Sequence, residues 1–208
     1  MPKKKNHDYP DHILAALESI EELKLNGKHD ESIKQAEQLL VEDPDCVGAL
    51  EEIADNYVSL DQYDRAMKAC SRALKLDEDS YTSHYILGFI TSQKKEWESA
   101  VGHLKKSNEL HSNNPEILRC LGWAMFNRKK RTQGIVVLER SLNLDPENSL
   151  TLCDLGICYL QTKKFDKAVE LLKRAIALDP DNKRIQEVYQ AAKGFKDKFT
   201  DIDKTMAM

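Results

Sequence analysis

The 208-residue sequence has no run of 18 or more apolar residues, so no segment reads as a membrane-spanning helix. Its opening stretch, MPKKKNHDYPDH, is basic but lacks the apolar core of a secretory signal. It has no CxxC pair, and its five cysteines (Cys46, Cys70, Cys120, Cys153, Cys158) form an odd, scattered set. Such a set suits reduced thiols better than a disulfide framework, and a cytoplasmic setting is the expectation. Gly-rich phosphate loops, HExxH and GxSxG are missing too. The six histidines are dispersed, and His84 falls on a core stripe where a packed ring is expected rather than a ligand. The expectation is therefore no enzyme, no cofactor and no metal.

What is present is apolar residues at 41% and charged residues at 32%, too apolar for general disorder and highly charged for one compact core. The net charge of −4 gives no global attraction to nucleic acid or membrane. It is unevenly spread. Residues 1–80 hold 10 Lys+Arg against 19 Asp+Glu, and residues 81–208 hold 21 against 16. A bipolar chain of this kind orients an approaching partner without saying anything about fold.

The chain repeats with a period of 34. Leu-Gly recurs at Leu87-Gly88, Leu121-Gly122 and Leu155-Gly156, preceded by Ile53-Ala54 one period earlier. A small residue recurs at Ser32, Ala66, Ala100, Gly134 and Ala168, and polar turns such as LDPEN and LDPDN close the units. Five units fit without insertion: 13–46, 47–80, 81–114, 115–148 and 149–182. Within a unit the apolar spacing is helical, as in Leu152, Leu155, Gly156 and Tyr159, then Phe165, Ala168, Leu172 and Ala175. Two helices of this sort cannot bury their faces alone, and stacked neighbours complete the core.

The L-G-x-x-Y of Leu155–Tyr159, Ala168, Pro180 and the fixed period resemble the tetratricopeptide repeat family over about 170 of the 208 residues. The resemblance implies an all-α fold, a right-handed superhelical solenoid of five helix-turn-helix units with a C-terminal capping helix. Residues 1–12 are then an N-terminal tail, 183–194 the cap and 195–208 an amphipathic tail. It also implies a protein-interaction module: an adaptor, co-chaperone or assembly scaffold.

Trp123 and Phe126 lie roughly 90–160° from the centre of the stripe Leu118, Leu121, Gly122 and Met125. In the family this face of the first helix lines the concave groove where peptides dock. The resemblance thus implies a groove floor of Phe89, Trp123, Phe126, Ile157 and Leu160 across repeats three to five. Tyr85 and Arg119 flank it, with Glu18, Glu21, Glu51, Glu52 and Asp55 as an acidic end for basic ligand residues. Packing between neighbouring first helices is the alternative for these side chains. The two-carboxylate clamp of a chaperone-binding sub-family is not expected, because the matching positions hold Leu17, Glu21, Glu52, Thr82 and Ile86.

The basic run Arg128–Arg131, like Lys94–Lys95 and Lys163–Lys164, falls on a turn and reads as a solvated helix end. Nucleic-acid binding is accordingly unlooked for, though an RNA-binding array using this edge stands as an alternative. Beyond the cap, Val188, Ala192, Phe195, Phe199, Ile202 and Met206 recur at steps of four and three, interrupted by Gly194. Two readings stay open: a cap with a frayed tail, or an amphipathic helix docking in a groove of its own chain, of another copy (a homo-oligomer) or of another protein.

Overall fold

The computed structural model describes residues 9–206, with side chains through Phe199. Eleven helices and no strand occur among the described residues. They fall into two compact units, residues 1–112 and 113–208.

Unit 1 holds α1 (Asp11–Leu25), α2 (His29–Glu42), α3 (Val47–Ser59), α4 (Tyr63–Leu76), α5 (Tyr81–Gln93) and α6 (Trp97–Leu110). Unit 2 holds α7 (Pro115–Asn127), α8 (Arg131–Leu144), α9 (Ser149–Gln161), α10 (Phe165–Leu178) and α11 (Lys183–Met206). None of these helices is long and apolar enough to cross a membrane.

The helix starts follow from local chemistry. Ser80 caps α5 by accepting from the Ser83 N–H, and Asn114 caps α7 by accepting from Glu116 and Ile117, with Pro115 in the first turn. Asn148 accepts from Thr151 at the start of α9. Each satisfies an N–H that the helix itself leaves without a partner.

The turn inside each pair is also built one way. Gly27, Asp61, Lys95, Lys129 and Lys163, spaced by 34, all have φ between 56° and 72°. The following N–H reaches back five residues to a carbonyl, as in Lys130 to Met125 and Lys164 to Tyr159, which ends the first helix in a Schellman turn. The basic run is thus part of a helix stop.

The pairs close through small residues. Gly88 faces Leu104, and Gly156 faces Leu172, at distances that leave no room for a Cβ. Serines then satisfy backbone acceptors across the pair: Ser32 Oγ donates to Ile20 O, and Ser141 Oγ to Pro115 O. Unit 1 has one cluster around Ile20, Ala36 and Ile53, and another around Ala54, Cys70, Ile86 and Ile90. Unit 2 has one around Leu138, Leu155 and Cys158, and another around Leu152, Leu172 and Ile185. Burying each large aliphatic side chain contributes about 1.5–3 kcal/mol.

Helix α11 runs through Gly194 without a break. Gly194 has open space around it, so it weakens the helix without serving a close contact. Phe195 and Phe199 offset that loss by packing on Phe165 of α10, with ring centroids 6.3 and 4.7 Å apart. The side chains of Ile202 and Met206, and residues 1–8 of the N-terminal tail, lie outside the described residues.

Candidate functional site

In unit 1, α3 and α5 lie side by side, and five of their residues enclose a cleft of about 50 Å³: Asp55, Val58, Tyr85, Ile86 and Phe89. Ile86 is buried as the floor, while Tyr85 and Phe89 are half-buried walls. Asp55 supplies the rim carboxylate. Its Oδ2 lies 2.8 Å from Lys24 Nζ, which also sits 2.9 Å from Glu52 Oε2. Burial opposes the charge on Lys24, but Asp55 and Glu52 outweigh it and hold its pKa above the ordinary range. Burial pushes Glu52 up despite Lys24.

The acidic end is therefore smaller than the sequence implied. Glu18 and Glu21 are exposed, but Glu51 is buried at 8% exposure and accepts a 2.5 Å hydrogen bond from Ser80 Oγ. Glu51 ties α3 to the start of α5 and presents no carboxylate to a ligand.

In unit 2 the corresponding face belongs to α7 and α9. Trp123 is half-buried and packs with Leu160 against the cluster of Leu138, Leu155 and Cys158. Ile157 and Leu160 pack against the cluster of Leu152, Cys153 and Leu172. Phe126, placed on the groove floor by its angle, is 2% exposed and is a core residue. Helix α9 lies against α7 and covers it, a neighbour that the wheel of a single helix leaves out.

Arg119 is engaged rather than free. Its guanidinium meets Glu116 through Nε at 2.8 Å and Nη2 at 2.5 Å, and Asp154 on α9 through Nη1 at 2.8 Å. Burial opposes the Arg119 charge, but the two carboxylates hold its pKa above the ordinary value. Burial pushes Asp154 up, and Arg119 pulls it only part of the way back. Asp154 was missed in the sequence. Its signal was a carboxylate at a position where the preceding repeats hold Cys120 and Ile86.

His84 and His103 also come together, joining α5 to α6. Their Nδ1 atoms are 3.3 Å apart, and His84 Nε2 donates to Glu78 O at 3.3 Å. That donation leaves His84 Nδ1 as an acceptor, so His103 Nδ1 carries the shared proton. Among the described residues no group of three or more His, Cys, Asp or Glu side chains is arranged to hold a metal ion. All five cysteines are free and buried, and burial pushes the thiols of Cys70 and Cys153 up to about 12 and about 11.

Profiles of the tetratricopeptide repeat match residues 22–107 and 149–182, more than half of the chain. The chain belongs to the tetratricopeptide repeat family. Members of this family are protein-interaction modules, typically without catalytic activity. No curated protein matches the sequence. Among solved structures, YrrB, a tetratricopeptide repeat protein with an unusual peptide-binding site, is similar at TM-score 0.63 and 19% identity over 84% of this chain and 90% of that one. The tetratricopeptide protein TTC0263 of Thermus thermophilus is similar at TM-score 0.71 and 17% identity, covering 86% of this chain and 98% of that one. A chain of the APC/C hetero-tetramer Cut9–Hcn1 reaches TM-score 0.81 at 20% identity, over 88% of this chain and 37% of its own length. At such identities the likeness establishes the fold.

Proposed function

We propose that this tetratricopeptide chain is a non-catalytic adaptor, co-chaperone or assembly scaffold that binds a peptide or helix on the faces of its first helices. Each unit presents its own contact face: Tyr85 and Phe89 in unit 1 and, separately, Trp123, Ile157 and Leu160 in unit 2. Arg119 serves as a brace beside them. The observation that carries the reading is the cleft between α3 and α5, apolar at Ile86 and Phe89 and acidic at Asp55. Its chemistry suits an apolar ligand side chain next to a basic one, and exposed Glu18 and Glu21 extend the same preference. The five reduced, buried thiols suit a cytoplasmic setting.

Selection of peptides from a displayed library on the full chain, followed by calorimetry, tests this. Phe89→Ala and Trp123→Ala, each with helicity and melting intact, should each weaken the selected peptides by about 2 kcal/mol. Unchanged affinity in both variants places binding elsewhere.

A further inference from the structure

Away from these faces, unit 2 carries aromatic surface where the start of α10 meets α11. Phe195 is 50% exposed and Phe199 39% exposed, although both rest on Phe165. Phe165 and Phe199, with Lys163, Lys164, Lys167, Lys196 and one carboxylate, Asp166, line a surface cavity of about 490 Å³. Rings left this open on a helix that already has a packed face are unusual for a surface that meets only water.

The charge around them is one-sided. Segments 163–167 and 193–199 hold six lysines and two aspartates, and one of these, Asp166, is paired with Lys196 at 2.8 Å. Lys163 Nζ stands 6.0 Å from the Phe199 ring centroid, and Lys164 and Lys167 stand 5.4 and 5.5 Å from the Tyr159 ring. One cation thus stands beside an open ring, and two more lie over Tyr159, which is buried at 5% exposure. The rings ask for an apolar anchor and the lysines for flanking anions. Nucleic acid fits less well, because the basic residues form one local cluster on a chain of net charge −4 and pI about 5.9.

We propose that this patch is a second docking site, separate from the first-helix faces, for an acidic peptide segment. The segment seats one apolar side chain beside Phe165 and Phe199 and lays its carboxylates against Lys163, Lys164 and Lys167.

The probe is a fluorescein-labelled heptapeptide of glutamates and aspartates around a central tryptophan, titrated with the full chain by fluorescence anisotropy. Lys163→Gln with Lys167→Gln, and separately Phe199→Ala, should each weaken it about tenfold or more, and so should replacing its tryptophan by serine. The lysine variant alters exposed side chains, and circular dichroism confirms its fold. Phe89→Ala and Trp123→Ala should leave this affinity unchanged, which separates failure of the patch from failure of the first-helix reading. Three results overturn the proposal: equal binding of the serine peptide, a labelled oligouridine that binds the same lysines more tightly, or sedimentation showing a self-dimer that the lysine variant dissolves.

Discussion

A Cβ placed on Gly134 would lie 2.6 Å from the carbonyl oxygen of Gly122 and 2.6 Å from the backbone nitrogen of Phe126. Helices α7 and α8 thus touch backbone to backbone, a closer approach than the Ala168–Gly156 pair allows between α9 and α10. The smallest possible residues at both positions are a steric requirement here, independent of any special backbone angle.

Gly134→Ala should therefore destabilise unit 2, because the obstructing atoms are backbone and cannot rotate away. Overpacking of this kind costs about 1–3 kcal/mol. The same change would raise helix propensity by about 1 kcal/mol at a position without neighbours, so the sign of the effect is diagnostic. Gly102→Ala, on α6 with nothing near its Cβ, supplies that comparison. Thermal melts should show Gly134→Ala falling and Gly102→Ala holding or rising. Equal or higher stability of Gly134→Ala would mean that the two helices are not in contact at this point.

Much of this packing was legible in the residues. The 34-residue recurrence of Leu-Gly and of the small position marks where two helices cross, and a steric demand that strict leaves a periodic trace. The polar turns were readable because Asn114, Asn148 and Ser80 act locally as caps. Phe126 and Glu51 were not readable, since their burial comes from outside their own helix pairs: α9 covers one, and Ser80, the cap of α5, holds the other. The cation–aromatic patch was hidden for the same reason. Phe165 and Phe199 are 34 residues apart in sequence, on α10 and α11, and only the fold puts them in contact.

Arg119 and Asp154 predict a coupled response. Asp154→Ala removes one carboxylate from a guanidinium whose side chain is only 14% exposed. Breaking a buried pair from one side costs about 3–5 kcal/mol, and the retained Glu116 pair puts this case near the lower end. Asp154→Asn keeps an acceptor and should cost less. The double change Arg119→Met with Asp154→Leu should recover much of the single-site loss, because no buried charge is left without its partner. Chemical denaturation of the native chain, Arg119→Met, Asp154→Leu and the double variant measures the coupling. Additive losses would show that the two side chains do not share a buried contact.

The His84–His103 pair makes stability depend on pH with a definite sign. Burial pushes both imidazoles below the ordinary value of 6.5, helped by Lys106 at His84 and by His84 itself at His103, while Glu78 O and Asp79 act the other way at His84. In the shared hydrogen bond only one Nδ1 carries a proton, so a proton on both would set two donors face to face at 3.3 Å. The unfolded chain takes up protons first as pH falls. The contribution of the pair is then complete above about pH 6.5 and shrinks as pH drops through the lower folded values. Both rings are partly exposed, and solvent screening limits the effect to about 1 kcal/mol, or roughly 2–4 °C in Tm. Melts at pH 7.5 and pH 5.5 should show a larger fall for the native chain than for His103→Gln, whose amide can donate to His84 without titrating. Carboxylates common to both proteins cancel in that difference. Identical falls would show that the two rings do not share a proton in solution.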